Sequence, residues 1–288
     1  MNYPTLEEAL TFPYSYIGEG ESAHRVMRVE WNGRKLVYKV INHSKTLKTV
    51  KSELKVLLKK FDAPILEYLS SRVPLLSLRV NDADDNTFGI ESKILGEWKK
   101  RGIPCIDLLE QQDEAMVFDY VPSESFHDLL RTPGYHAAEY FQLLYVIAKI
   151  RSAAFRESDK LLLHPDMLTK NFLYVPETKK ALAIDPGTHI KPDVSLERAD
   201  AILNLIFIYD FYQIPHKDLY MKEFLCTLDK KTKDRMNALN QEAGRFTKAY
   251  FSLRAATLGV LRGKPQARFF DNYNSENIEY ISDLLETA

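Results

Sequence analysis

The stretch HPDMLTKNFLYVPETKKALAIDPG, residues 164–187, decides how this chain is interpreted. Two β-like runs, at 172–175 and 181–184, flank a Pro-Glu-Thr-Lys-Lys turn, and this pattern predicts a β-hairpin. Asn171 lies at the entrance of the hairpin and Asp185 lies at its exit. Because adjacent strands bring entrance and exit together, we expect the two polar side chains to converge on one point.

A third polar residue, Asp166, precedes Asn171 by five positions, and Asp185 follows Asn171 by fourteen. In kinases, an Asp, an Asn five residues later and a downstream Asp-x-Gly orient an acceptor hydroxyl and bind Mg²⁺ against the phosphates of ATP. The alternative is a loop in which Asp166 and Asn171 only form turns. The pair alone is common, and the predicted hairpin with the second Asp favours the catalytic interpretation.

The upstream half contains a glycine-containing segment and a lysine on a predicted strand. Gly18 and Gly20 interrupt two β-like runs, and glycines let a backbone approach phosphates closely. Asn32-Gly33 predicts a tight hairpin turn, and a strand at 34–41 follows with Lys39 in a Val-Tyr-Lys-Val context. That context is close to the Val-Ala-Ile-Lys pattern of a phosphate-binding lysine, although the third glycine of the usual loop is missing. A solvated lysine on an edge strand is the alternative.

A phosphate-binding lysine needs a carboxylate partner on a helix. Glu53 and Glu91 both occur in the form Glu-x-x-x-Leu. We favour Glu91, because the residues after it predict a helix, a Gly-Ile-Pro turn at 102–104 and strands that end at 116–121. Either glutamate could instead be a charge on a helix surface.

Over roughly residues 18–200, these motifs resemble the protein-kinase-like superfamily. The chain is more similar to the atypical bacterial branches, which include lipopolysaccharide-core and Kdo kinases, RIO-type kinases and aminoglycoside-phosphotransferase-like enzymes. The resemblance implies an α+β, bilobal protein-kinase-like fold. Its N-lobe, residues 1–121, would be an antiparallel β-sheet with a helical insert at about 42–88, and its mainly helical C-lobe would span 122–288.

The resemblance also implies ATP and Mg²⁺ as cofactors and a role for each candidate residue. Asp166 would be the catalytic base, and Lys39 would contact the α- and β-phosphates while pairing with Glu91. The remaining implied roles are nucleotide binding by Gly18, Gly20 and the adenine-binding hinge of Asp119, Tyr120 and Val121, and Mg²⁺ binding by Asn171 and Asp185.

Several positions depart from regulated protein kinases. Pro165 replaces the Arg that normally docks an activation-loop phosphate, Pro186 replaces Phe in the Asp-x-Gly motif, and no Ala-Pro-Glu segment follows. These departures predict a small constitutive phosphotransferase. Its acceptor is expected to be a hydroxyl, first of a lipopolysaccharide or other sugar. The alternatives are a RIO-like protein serine/threonine kinase and an inactive, nucleotide-binding pseudokinase scaffold.

Composition limits the partners and the compartment. A chain of 288 residues with net charge −1 predicts no nucleic-acid partner. Cys105 and Cys226 are far apart, as expected for reduced thiols of a cytoplasmic protein, and the N-terminus does not resemble a signal peptide. Apolar residues at helical spacing with interleaved lysines over 45–60 predict an amphipathic helix with a solvated basic face. The alternative for this face is a basic surface that attracts an anionic substrate or makes peripheral contact with a membrane, and the oligomeric state is left open.

The C-terminal half is expected to be helical at 137–155, 196–212, 217–228, 230–260 and 275–287. Ser195 is predicted to cap the second of these helices. Asp200, inside it, is expected to brace the catalytic loop, with an ordinary surface Asp as the alternative. His164 is expected to order the same loop.

Overall fold

The computed structural model describes residues 3–18, 24–41, 79–80, 87–186, 189–190, 193–241 and 275–287. Helices and strands are numbered here in chain order among these residues. Most of the predicted insert at 42–88, including the lysine-rich segment 45–60, lies outside the described residues. Gly20 and Glu53 also lie outside them.

A five-stranded antiparallel sheet forms the N-terminal part, in the order β1-β2-β3-β6-β5. A one-turn helix, α1 (Leu6–Ala9), precedes it and is capped by Thr5. Asn32 and Gly33 join β2 to β3 with φ values of 50° and 75°, and both values suit the predicted tight turn. The strands are β1 (Tyr14–Gly18), β2 (His24–Trp31), β3 (Arg34–Ile41), β5 (Leu108–Gln111) and β6 (Ala115–Asp119).

Strand β3 has two different faces because successive side chains of a strand point to opposite sides of a sheet. Leu36 and Tyr38 are fully buried in a small apolar cluster that also includes Ala9 of α1. Val37 packs instead against the larger core cluster on the other side. Lys39 shares the face of Val37, and this alternation directs its side chain towards the following helix.

Helix α2 (Thr87–Lys100) packs on that second face of the sheet. Phe88, Leu95 and Trp98 are buried at helical spacing, and Glu91 lies on the same stripe. The helix ends at Lys100; Gly102, two residues later, has a φ of 64°, and Ile103 N donates to Trp98 O. This arrangement of bonds around a left-handed glycine is a common helix C-cap.

The C-terminal part is mainly helical, as predicted. Ser195 caps its helix by accepting a hydrogen bond from Arg198 N, and residues 199–209 of that helix are buried throughout, which makes it the central helix of this part. The helices are α3 (Phe126–Leu129), α4 (Ala137–Glu157), α5 (Leu196–Asp210), α6 (Lys217–Cys226), α7 (230–241) and α8 (Ser275–Thr287).

A three-stranded sheet, in the order β7-β8-β9, connects to this helical part. It contains β7 (Glu124–Ser125) and the predicted hairpin of β8 (Phe172–Val175) and β9 (Lys180–Ala183). A separate pair joins β4 (Arg79–Val80) to β10 (His189–Ile190). None of the described helices is long and apolar enough to cross a membrane.

One apolar core runs from α2 and β6 through the hairpin into helices α4 to α8. The sheet-rich part and the helical part therefore share a continuous interior. This arrangement confirms the predicted α+β class, with an antiparallel sheet in the N-terminal part and a mainly helical C-terminal part. The predicted lobe boundary at residue 121 falls between β6 and β7 and stays a prediction.

Candidate functional site

Lys39 and Glu91 form an ion pair inside the protein. Lys39 Nζ lies 2.5 Å from Glu91 Oε2, and the two side chains are only 8% and 2% exposed. The pair joins β3 to α2 across 52 residues of sequence. The predicted partnership between Lys39 and Glu91 is therefore present in the structure.

Lys39 also binds a second carboxylate. Its Nζ lies 2.6 Å from Asp185 Oδ1, and the Asp185 side chain is 48% exposed. Asp185 follows the hairpin, so this contact connects the N-terminal sheet to the hairpin exit. One ammonium shared by two carboxylates leaves the three groups with a net negative charge.

The pKa values of the buried pair reflect this sharing. Burial by itself lowers the pKa of Lys39, but the charges of Glu91 and Asp185 outweigh burial and raise it. Burial raises the pKa of Glu91; Lys39 opposes this rise, while the neighbouring charge of Asp185 adds to it. Lys39 therefore keeps its positive charge, and the negative charges of Glu91 and Asp185 both stabilise it.

The hairpin places Asn171 beside the residue that precedes Asp185. Phe172 pairs with Ala183 in the β8–β9 ladder, and Ile184 N donates to Asn171 O at 2.9 Å. Asp185 itself has a φ of 54°, a left-handed conformation that non-glycine residues seldom adopt. The backbone at the entrance and at the exit of the hairpin is thus adjacent, and the exit backbone is held in an unfavourable conformation. The convergence of the Asn171 and Asp185 side chains stays a prediction.

Asp166 and Asn171 are bonded directly to each other. Asn171 Nδ2 donates to Asp166 O at 2.7 Å and to Asp166 Oδ2 at 2.9 Å. These two bonds use both amide hydrogens of Asn171. Its oxygen Oδ1 is therefore the side-chain atom that remains for a cation.

His164 orders this loop, as expected. It is fully buried, with its ring centroid 5.4 Å from that of Trp98 and 5.1 Å from that of Phe172. Asp166 N donates to His164 Nδ1 at 3.2 Å, and the second ring nitrogen lies 2.9 Å from Ile184 O. Because Nδ1 accepts, Nε2 carries the hydrogen and donates to Ile184. One imidazole thus joins the Asp166 loop to the hairpin exit.

The expectation that Asp200 braces the catalytic loop was wrong. Asp200 accepts two hydrogen bonds from Arg151 of α4, at 2.7 and 2.8 Å, because its face of α5 packs against α4. Asp210, at the end of α5, takes the expected place and accepts from both N and Oγ1 of Thr169 at 2.6 Å. The sequence analysis did not identify Asp210. Its partner Thr169 lies between the predicted site residues Asp166 and Asn171, but no local pattern connects Thr169 to Asp210.

The predicted hinge leaves the sheet at the end of β6. Tyr120 N donates to Lys35 O at 3.0 Å, so the sheet already uses this backbone group. The Asp119 carboxylate binds the Arg34 guanidinium at 2.5 Å, and Val121 O accepts from Ser123 Oγ at 2.9 Å. Part of the hydrogen-bonding capacity of residues 119–121 therefore serves the fold, and their contact with adenine stays a prediction.

The glycine segment is described only in part. Gly18 is the last residue of β1 and pairs with Val26 after an irregularity in register. Gly20 lies outside the described residues, so its predicted contact with nucleotide stays a prediction.

Helix α2 is attached at its C-terminal end to α4 and to the segment that precedes Asp166. Trp98 Nε1 donates to Leu162 O at 2.8 Å, and Arg101 Nε donates to Glu157 of α4 at 2.7 Å. Arg101 also donates to Glu97 O at 2.9 Å. The bonds of Trp98 to Leu162 and of Arg101 to Glu157 hold the helix that carries Glu91 against the segment that leads to Asp166.

Within the described ranges, no cluster of three or more His, Cys, Asp or Glu side chains is arranged to hold a metal ion. The predicted ligand set is smaller, with one carboxylate from Asp185 and one amide oxygen from Asn171. Mg²⁺ is usually bound by one or two carboxylates with substrate phosphates and water completing its octahedron. The two predicted ligands fit that mode of binding.

Comparison with known proteins finds likeness only among solved structures. No protein-family model matches this sequence, and no curated protein matches it either. A double mutant of the PknI kinase domain of Mycobacterium tuberculosis aligns with 14% identity and a TM-score of 0.43, over 80% of this chain and 94% of that one. A single mutant of the same domain aligns with 16% identity and a TM-score of 0.44, over 84% of this chain and 100% of that one.

Proposed function

We propose that this protein is an ATP- and Mg²⁺-dependent phosphotransferase that transfers the γ-phosphoryl group to a hydroxyl acceptor. The observation that carries the proposal is the double contact of Lys39 with Glu91 and Asp185. This contact brings a phosphate-binding cation to the hairpin exit, beside the loop of Asp166 and Asn171. This adjacency supports a site in which groups suited to phosphate, metal and acceptor lie on neighbouring segments.

Lys39 acts on the phosphates in this proposal. Glu91 holds the ammonium in a fixed position within the core, and a fixed cation stabilises developing negative charge without reorganising during the reaction. Asp185 is half exposed to solvent. In this proposal its carboxylate leaves Lys39 and binds a metal ion instead.

Asp185 and Asn171 would hold Mg²⁺, which neutralises charge on the transferring phosphoryl group. Asp185 supplies a half-exposed carboxylate. Asn171 supplies Oδ1, since its amide nitrogen is used on Asp166. The same amide holds the Asp166 carboxylate in position.

Asp166 aligns the acceptor hydroxyl and takes up its proton. His164 supports this role, because it accepts from Asp166 N and bonds the hairpin exit. The attachment of α2 through Trp98 and Arg101 supports a site that is assembled without a phosphorylation switch. We further propose a sugar hydroxyl of a glycan or lipid-linked sugar as the acceptor, on the resemblance to the atypical bacterial branches.

Transfer of the γ-phosphoryl group from labelled ATP tests the proposal. We expect Mg²⁺-dependent turnover, with water serving as a slow acceptor when no other is supplied. Asp166→Asn should lower turnover by about 10² to 10⁴-fold, because it removes the group that accepts the proton. Asp113→Asn, at an exposed position of the β5–β6 loop, is the matched control and should behave as wild type.

Binding measured by thermal shift separates an enzyme from a scaffold. A ligand at 100 times its dissociation constant stabilises the folded state by about 2.7 kcal/mol. Wild type that is stabilised by Mg·ATP but never turns it over would be a nucleotide-binding pseudokinase. Wild type that shows no shift at millimolar ATP with Mg²⁺ would overturn the proposal altogether.

A further inference from the structure

The short helix α3 contacts the catalytic loop through His127. Its Nδ1 lies 3.3 Å from Thr169 Oγ1, and the imidazole is half-buried. The backbone of α3 is well placed for this contact because β7, directly before it, pairs with β8 through Ser125 and Leu173. Strand β8 also follows Asn171 directly, so α3 and the Asp166 loop are both connected to this strand.

The hydrogen bonds of Thr169 determine which tautomer His127 adopts. The Thr169 hydroxyl has one hydrogen and donates it to Asp210 Oδ2 at 2.6 Å. Its oxygen can therefore only accept from the imidazole. His127 Nδ1 must carry a hydrogen and donate it to Thr169, and Nδ1 remains a donor whether the ring is neutral or charged.

Charged groups surround His127 on several sides. Asp128 and Arg131 come from its own segment, Lys170 comes from the catalytic loop and Asp210 comes from α5. Burial, followed by the charge of Arg131, lowers the pKa of His127, while Asp210 and Asp128 oppose that change. The lowered pKa favours the neutral ring, and the contact with Thr169 is an N–H donation from Nδ1 in either form.

Thr169 is a central position of the loop. It is fully buried and lies three residues after Asp166 and two before Asn171. Asp210 holds Thr169 from the side of α5, and His127 holds it from the side of α3. Asp210 and His127, from two different helices, thus both bind Thr169, which lies between Asp166 and Asn171 in sequence.

We infer that His127 is a positioning residue, which acts through Thr169 to fix Asp166 and Asn171 relative to each other. This inference rests on the proposed phosphotransferase activity and extends it to a residue outside the loop. His127 contacts neither phosphate nor metal in this role. Its loss changes how often the loop is in productive geometry, so it changes kcat more than the KM for ATP.

Two substitutions of His127 separate positioning from bulk packing. In His127→Asn, the side-chain amide nitrogen occupies the place of Nδ1 and keeps the donor. In His127→Leu, the volume is largely kept but the donor is removed. We expect His127→Leu to lower kcat for Mg·ATP by about ten- to a hundredfold with KM changed by less than about twofold, and His127→Asn to restore most of kcat.

Amide hydrogen exchange of residues 167–172 provides a readout that needs no turnover. It should accelerate in His127→Leu and return towards wild type in His127→Asn, because the Thr169 contact is lost in one and kept in the other. The matched control is His136, another histidine beside a threonine, with Nε2 2.7 Å from Thr132 Oγ1. His136→Leu should leave both kcat and loop exchange unchanged.

The outcomes distinguish this inference from the proposed function. If wild type does not turn over ATP, the phosphotransferase proposal fails, and exchange alone decides whether His127 positions the loop. If His127→Leu has wild-type loop exchange, the inference is wrong whatever the turnover. Equal losses in His127→Asn and His127→Leu would also overturn it, since the donor would then be irrelevant.

Discussion

The two carboxylates that bind Lys39 lie in contrasting environments. Glu91 is 2% exposed on the buried stripe of α2, whereas Asp185 is 48% exposed at the hairpin exit. Glu91 sits in a regular helix, and Asp185 has a left-handed backbone with φ of 54°. The contrast shows one ion pair enclosed in the core and one open to solvent, and in the proposed function the open one is the contact that a cation replaces.

Breaking the buried Lys39–Glu91 ion pair should have the largest effect on stability. Lys39→Met leaves Glu91 in the core without its ammonium, and removal of one partner from a buried ion pair costs about 3 to 5 kcal/mol. We expect a loss near 3 kcal/mol in urea unfolding, because Glu91 can take up a proton, together with loss of nucleotide use. Lys93→Met, exposed on the same helix as Glu91, should change stability little. Wild-type stability in Lys39→Met would show that the pair contributes nothing.

Removing the exposed carboxylate should act on binding and not on folding. Asp185→Asn keeps the shape and suits a left-handed backbone, so we expect unfolding to change by less than about 0.5 kcal/mol. Mg²⁺-dependent ATP affinity, measured by calorimetry, should fall by about 10²-fold or more, because the charged ligand is lost. Asp193→Asn, at an exposed position outside the site, is its control. Equal Mg·ATP affinity in wild type and Asp185→Asn would remove Asp185 from the metal site.

The pH dependence of Lys39→Met should sharpen the comparison further. Without the ammonium, burial and the Asp185 charge both raise the pKa of Glu91, in the direction already present in wild type. A carboxyl whose pKa is higher in the folded state stabilises the folded protein most at a pH below its unfolded pKa. This stabilisation is lost as the pH rises through the folded pKa. Relative to wild type, the variant should therefore lose up to about 1.4 kcal/mol per pH unit above pH 5. A constant difference between pH 5 and 8 would contradict this reasoning.

Asn171→Ala should have the smallest of these effects on metal binding. An amide oxygen is an uncharged ligand, so we expect Mg·ATP affinity to fall by about tenfold, or roughly 1.4 kcal/mol, less than in Asp185→Asn. Turnover should fall more than affinity, because Asn171 also holds Asp166. A larger loss of affinity than in Asp185→Asn would reverse the proposed ranking of the two ligands.

Local sequence patterns predicted the elements that carry the site. Alternation over residues 34–41 predicted β3, and the turn between two apolar runs predicted the β8–β9 hairpin with Asn171 at its start. The helix and Gly-Ile-Pro turn after Glu91 were also predicted, whereas the Lys39–Glu91 pair was predicted from the order of elements expected of a kinase-like N-lobe. These features were accessible because side-chain periodicity and turn residues are properties of a few consecutive positions.

Tertiary packing alone decided which polar groups meet. Asp200 and Asp210 lie ten residues apart near the two ends of α5, and nothing local distinguishes them as braces. The angle at which α5 packs puts Asp200 against Arg151 and Asp210 against Thr169. His127 reaches the same threonine across 42 residues of sequence. A side chain's partner across such a distance depends on the path of the whole chain, and no local pattern encodes that path.

The chemistry of the site divides in the same way. The sequence by itself determined the residue types, the strands and the spacing that favour phosphoryl transfer. Only the tertiary structure decided that Lys39 is shared between Glu91 and Asp185, across 146 residues in the second case, and that one carboxylate is buried while the other faces solvent. Burial and the backbone conformation at Asp185 are set by the packing of the sheet, helix and hairpin around them, and in the proposed function they determine which contact a metal ion would replace.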